Sequence, residues 1–315
     1  MIRYIAERLA ALMLTLFIIV SASFFILRLM PGSFVSDPFM TEDVKKAIEA
    51  KYHLDKPLIT QYGYFLKDFA KLDFGVSLTV RPKVPVNEVI LSKIPTTLQI
   101  NIFSLILTVP TGIILGIIAA LKKNTWIDHL ISVKVIVFIS IPSFIFGTVL
   151  QYLIGFKLGW VPILVSTESS LTMSKFISMI LPILALSFGG IATIARYMRA
   201  ELSEALNSDY MLLAKSKGLN QVQATLRHAM RNSFIPLANI IIPMFLGVLG
   251  GSMVIERIFG IPGMGNASIE AINGQDHTMT IGIMFWYSLI GLISVLIVDL
   301  SYGIIDPRVR IGGRK

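Results

Sequence analysis

The chain has 315 residues, 54% hydrophobic and only 15% charged, where soluble domains carry about 25% charged residues. It contains no cysteine, which excludes disulfides, thiolate nucleophiles and cysteine-ligated zinc or iron–sulfur sites. In so apolar a chain the net charge of +9 reads as Lys and Arg held in cytoplasmic loops, not as a nucleic-acid surface.

The apolar residues fall in blocks of about 20, the length a helix needs to cross roughly 30 Å of hydrocarbon. Met1 to Arg8 has the basic start of a signal peptide. The apolar stretch from Leu9 to Leu27 exceeds a signal core of about 7–15 residues and reads as an uncleaved first span, ending near Leu29. Residues 31–95 form an extracytoplasmic loop region with order of its own: Thr41 can cap a helix with Glu42 and Asp43 in its first turn, and Val44, Ala47 and Ile48 make a short apolar stripe. Five more blocks follow, Thr96–Leu121, His129–Ile154, Phe176–Met198, Ile235–Ile255 and Ile281–Tyr302. The expectation is an all-α membrane protein with six transmembrane helices. Its parts are residues 1–30 (first span), 31–95 (outer loop) and 96–315 (a five-helix core).

Basic residues set the orientation. Arg3 and Arg8 precede the first span, Lys122 and Lys123 follow the second, and Arg196, Arg199, Lys215, Lys217, Arg227 and Arg231 lie between the fourth and fifth. Arg308, Arg310, Arg314 and Lys315 close the chain. The opposite side has only Lys157, Lys175 and Arg257 outside the long loop, so both termini are placed in the cytoplasm.

Pro110, Pro142, Pro182 and Pro243 interrupt four spans, with Gly112, Gly116, Gly147, Gly189, Gly190 and Gly247 nearby. Two readings stay open: close helix packing through small residues, or bent helices lining a pathway. Gln99, Asn101, Gln151 and Asn239 are neutral, and Lys134 and Asp299 lie near span ends where they can snorkel to the interface. No chain of buried carboxylates is visible that would suit a proton-driven secondary transporter. The four histidines, His53, His129, His228 and His277, are scattered and form no metal-spacing pair, which argues against a membrane enzyme.

The most informative stretch runs from Arg199 to Pro236. Ala200–Lys215 is helix-forming, Gly218 supplies a turn through its access to positive φ, and a second helix is expected from Asn220 to Asn232. Tyr210, Leu213, Ala214, Leu219, Val222 and Leu226 are apolar positions on this basic cytoplasmic segment that need something to pack on. A partner protein fits them better than nucleic acid, because spans flank the segment on both sides.

This stretch resembles the cytoplasmic coupling loop of bacterial ABC importer permeases, and most closely the oligopeptide and dipeptide branch. That branch reads D-Y-x-x-x-A-x-A-K-G-L and then R-H-A-L-R-N-A-x-I-P. This chain has Asp209, Tyr210, Ala214, Lys217, Gly218 and Leu219, with Ser216 for the second alanine, followed by Arg227 to Ser233 and Ile235-Pro236. The resemblance extends along the chain through Leu54–Leu78, Pro95–Leu98, Ile258–Asp276 and Asp306–Arg310, and the long outer loop matches the "B" permease type. Ser33 stands where the branch has Asp after Pro-Gly, and Gln275 where it has Arg before Asp276.

The resemblance implies a type I ABC importer architecture in the bacterial inner membrane. It implies as partners a second homologous permease, two ABC ATPases and an extracytoplasmic peptide-binding protein. Asp209, Tyr210, Leu213, Ala214, Lys217, Gly218 and Leu219 would carry the ATPase coupling. The chain has no G-x-x-x-x-G-K-[ST] phosphate loop, so ATP and Mg would be bound by the partner ATPases and no cofactor by this chain. Di- and oligopeptides are the implied substrates, with nickel complexes and glutathione carried by relatives.

Overall fold

The computed structural model describes residues 2–30, 41–168, 170–248 and 250–305. The departure at Ser33 and the ending Asp306–Arg310, with the basic tail to Lys315, lie outside them. The described residues are helical apart from connecting turns and one isolated bridge between Val76 and Pro85. The helices are α1 (Ile2–Leu29), α2 (Glu42–Lys51), α3 (Leu58–Phe69), α4 (Val86–Leu121), α5 (Trp126–Ser140), α6 (Ser143–Leu150), α7 (Met173–Leu206), α8 (Asp209–Ser216), α9 (Gln221–Ala224), α10 (Met230–Gly247), α11 (Met253–Ile258), α12 (Met264–Asn273) and α13 (His277–Ile305). Two π-helical segments, Gln151–Lys157 and Thr225–Ala229, continue α6 and join α9 to α10.

Four of these helices are long and apolar enough to cross a membrane among the described residues, and the bent pair Trp126–Ser140 and Ser143–Lys157 can make a fifth span. The pair turns through 101° at Ile141-Pro142. The cause is local: Ile141 takes the extended conformation imposed on a residue before proline. The sequence block Ile235–Ile255 is likewise divided. Helix α10 ends at Gly247, α11 starts at Met253, and Gly251 between them has φ +62°. The second span begins earlier than Thr96, because Pro95 removes one hydrogen bond from α4 without ending it. Residues 41–95 are likewise no plain loop but hold α2, α3 and the start of α4. Thr41 does sit at the N-terminus of α2 with extended backbone, yet its side chain makes no capping hydrogen bond; its carbonyl accepts from the Lys45 amide at 3.0 Å.

The chain divides into two compact units, residues 1–97 with 262–293 and residues 98–261 with 294–315. In the first, α1 buries Leu16, Val20 and Phe24, one stripe at four-residue spacing, while Leu9, Met13, Leu14, Phe17 and Ile18 stay exposed. Helix α3 leans on this stripe: the Phe65 ring stacks on Phe24 at 4.8 Å, and Tyr62 shares a 2.6 Å hydrogen bond with Ser21. Phe285 of α13 meets Phe69 at 5.5 Å and Phe74 at 5.1 Å. Gly282 lets α13 come close to α4, since a Cβ there would lie 2.4 Å from Val86 Cγ1.

The loop before α4 gathers around the carboxylate of Asp276. Asp276 is 0% exposed. Its Oδ2 accepts from Ser77 Oγ (2.6 Å) and from the amides of Leu78 (2.8 Å), Thr79 (3.0 Å) and Val80 (3.2 Å). Its Oδ1 accepts from the Met279 amide at 3.1 Å, capping the first turn of α13. Successive amides converging on one anion make a nest, whose charge-assisted bonds are the strong kind. Burial pushes the Asp276 carboxyl up, but the bonds from Ser77 and from the Thr79, Met279 and Val80 amides outweigh it, and the group is held below its ordinary value.

In the second unit α4 and α7 pack in close parallel contact. A Cβ at Gly190 would lie 2.6 Å from Thr108 Cγ2, at Gly112 2.7 Å from Ile194 Cβ, and at Gly116 2.6 Å from Met198 Cβ. Gly112 and Gly116 are a G-x-x-x-G pair, which lets backbones approach in lipid. Ser104 and Ser187 bond across the same seam at 3.0 Å. These three glycines therefore serve packing. Gly189 and Gly247 have nothing within 4 Å of a built Cβ.

Asp276→Asn removes the negative charge from the nest and forces an N–H₂ against amide donors. It is expected to cost about 3 kcal/mol and to speed limited proteolysis of residues 41–97 in the purified protein. The lowered folded-state pKa fixes the sign of the pH effect. The stabilisation is complete above the unfolded carboxyl value of about 3.9 and is lost as pH falls through the lower folded value. The protease resistance of this unit is thus expected to be flat near neutrality and to drop only below about pH 4.

Candidate functional site

The segment after α7 is built by capping chemistry. The expected continuous helix Ala200–Lys215 is broken at Asn207-Ser208, where both side chains turn back onto the backbone. Asn207 Nδ2 donates to Ser203 O at 2.7 Å and Ser208 Oγ to Ala205 O at 2.6 Å. Helix α8 then starts at Asp209, an exposed carboxylate in its first turn where the helix dipole favours it.

Its end is a Schellman turn. The Leu219 amide donates to Ala214 O at 3.3 Å and the Gly218 amide to Lys215 O at 2.9 Å. Gly218 carries φ +86°, and nothing lies within 4 Å of a built Cβ. A side chain there would be strained by the backbone, not by a clash. Asn220 opens the next helix with a reciprocal capping box: Asn220 Oδ1 accepts from the Gln223 amide at 2.8 Å, and Gln223 Oε1 from the Asn220 amide at 3.3 Å. The second helix does not stop at Asn232. It passes through the π segment Thr225–Ala229 into α10, which carries Pro236 within it.

The site residues therefore divide by face. Met211 (1% exposed) and Ala214 (5%) pack inward with Leu202, Ala205, Ala224 and Leu237, and Leu219 is half-buried against the same cluster. Tyr210, Leu212, Leu213, Val222 and Leu226 face outward, the last four 57–65% exposed. Lys215, Lys217 and Arg227 are exposed around them. The outward face of α8 and α9 thus joins an apolar patch to a basic rim. Of the residues singled out from sequence, Tyr210, Leu213 and Lys217 are on the outer face, and Ala214, Gly218 and Leu219 build the turn that presents it. Leu212, beside Leu213, shares that outer face.

Helix breaks elsewhere are closed by polar side chains. Asn101 Nδ2 donates to Val248 O at 2.8 Å, at the end of α10. Gln151 Nε2 donates to Ile163 O and Ile258 O, both at 3.0 Å. Asn101, Ser104, Thr108, Gly190 and Met244 line a cavity of about 280 Å³ beside the first of these closures.

Residues 112–311 match the model of the family described as binding-protein-dependent transport system inner membrane component. The chain is 36% identical over 314 residues to the dipeptide transport system permease protein DppB of Bacillus subtilis, covering 99% of each. It is 37% identical over 311 residues to the DppB of Lactococcus lactis, covering 99% of this chain and 100% of that one. With the oligopeptide transport system permease protein OppB of Escherichia coli it shares 36% identity over 311 residues, 98% of this chain and 100% of that one. In fold it is similar to a chain of the MetNI methionine ABC transporter solved in inward facing conformations, with a TM-score of 0.56 and 14% identity, covering 69% of this chain and 96% of that one.

Gly218→Val should unseat the turn without disturbing the core. Holding a β-branched residue in the left-handed region costs about 1–2 kcal/mol. Amide exchange over residues 209–219 is expected to rise about tenfold, with the global melting temperature unchanged.

Proposed function

The chain belongs to the family of binding-protein-dependent transport system inner membrane components, and we propose that it is the permease subunit of an ATP-driven ABC importer for di- and oligopeptides. The observation that carries this reading is its 35–37% identity, over nearly its full length, to dipeptide and oligopeptide transport permeases. It crosses the bacterial inner membrane six times with both termini in the cytoplasm, α10 and α11 together supplying the fifth crossing. A second, homologous permease completes the pathway, and an extracytoplasmic binding protein delivers the peptide. Two ATPase subunits bind ATP and Mg, and the patch of Tyr210, Leu212, Leu213, Val222 and Leu226 seats in one of them. Their closure, passed through α8, switches the pathway between inward-facing and outward-facing states.

The reading is tested with the assembled transporter in proteoliposomes and labelled trialanine. Uptake is expected to require ATP with ion gradients clamped, and to be competed by other short peptides but not by glutathione or nickel–histidine. Uptake that persists without ATP would overturn the ATP-driven reading, and competition by glutathione or nickel–histidine alone the peptide reading. Leu213→Asp places a charge in the docking patch while leaving an exposed position exposed. It is expected to abolish co-purification of the ATPase subunits in mild detergent while membrane insertion persists.

A further inference from the structure

Beside the start of α8 the second unit holds an ion pair that the docking patch does not use. Asp128, in the first turn of α5, is 1% exposed. Arg199, on the last turns of α7, grips it with both arms of the guanidinium: Nε donates to Oδ1 at 2.5 Å and Nη2 to Oδ2 at 2.7 Å. The Asn124 amide adds a bond to Oδ2 at 2.9 Å. Asn124 itself has φ +63° in the tight turn that joins α4 to α5. A planar fork on a buried carboxylate fixes orientation as well as distance.

The position of the pair gives it a consequence. Arg199 lies seven residues before the end of α7 at Leu206, about 10 Å along the helix, and α8 begins three residues later. The stem that enters the docking surface is thereby locked to α5. The stem that leaves it is the π segment Thr225–Ala229, with Thr225 and Ala229 buried. The ion pair is on the entering side alone.

We propose that Asp128 and Arg199 are positioning residues for energy coupling, locking α7 to α5 so that force passed from Leu212 and Leu213 to the end of α7 moves α5 and α7 as one body. The proposal rests on the reading of α8 as the ATPase-docking helix. Neither residue touches ATP or transported substrate. Replacing Arg199 alone leaves the buried Asp128 charge uncompensated, so the conservative variants are Asp128→Asn and Arg199→Lys, with Asp128→Glu, which keeps the charge and the acceptors, as the rescue.

The chain has no cysteine, so spin labels at Lys123→Cys and Glu204→Cys report the distance between the turn before α5 and the end of α7 without background from this chain, cysteines of the partner subunits being replaced. In the assembled transporter this distance is expected to be narrow and the same with and without ATP. In the Asp128→Asn background ATP is expected to broaden or split it. The ATPase subunits should still co-purify with Asp128→Asn and Arg199→Lys, and hydrolysis should stay within about twofold, while trialanine uptake per ATP falls about tenfold and recovers in Asp128→Glu. A distance that stays single and insensitive to ATP in Asp128→Asn overturns the proposal. So does a loss of uptake in proportion to hydrolysis, which is what a purely structural role would give. If the unaltered transporter imports no trialanine, the peptide reading fails, and the label distances still decide this proposal.

Discussion

A backbone amide or carbonyl at membrane depth has no water to bond, so every peptide group must find its partner within the protein. The described residues obey this by being helical almost throughout, and at several helix ends a polar side chain closes the gap. Asn101 takes the carbonyl of Val248 where α10 ends. Gln151 takes the carbonyls of Ile163 and Ile258. Thr97 Oγ1 accepts the Met264 amide at 2.9 Å where α12 begins. Asp276 does this for a whole loop, gathering Ser77 and three consecutive amides as well as the first turn of its own helix. These side chains are sparse in an apolar sequence because each desolvated polar group is costly unless fully bonded.

The same accounting shapes the outward face of α8. Ending α8 requires carbonyls to be satisfied, and the Schellman turn does it with the Gly218 and Leu219 amides. Ala214 is small because its face is packed against Leu202 and Ala205. Leu212, Leu213, Val222 and Leu226 are left facing out, held in place by the residues packed beneath them.

The glycines and prolines, ambiguous by composition, separate once packing is seen. Gly112, Gly116 and Gly190 are contact glycines in the α4–α7 seam. Pro142 turns a span through 101°, whereas Pro95 and Pro182 sit within continuous helices. Proline always removes one hydrogen bond, but whether the chain bends depends on what neighbouring helices offer in return.

Much of this protein was legible in its sequence. Block length determined that it is a helical membrane protein, because hydrocarbon thickness sets a minimum run of apolar residues. The segment Asp209–Leu219 declared its helix and turn through local propensity, and its resemblance to a known loop pointed to the partner. Helix ends and divided spans were less legible: nothing local distinguishes Pro95, which α4 passes through, from Pro142, which ends α5. Tertiary structure alone decided which side of α8 faces out, that Asp276 reaches back nearly 200 residues to the amides of Leu78, Thr79 and Val80, and that Asp128 finds Arg199 across 71 residues. Local propensity is written in neighbours along the chain, but a hydrogen bond or ion pair between distant residues exists only after packing brings them together.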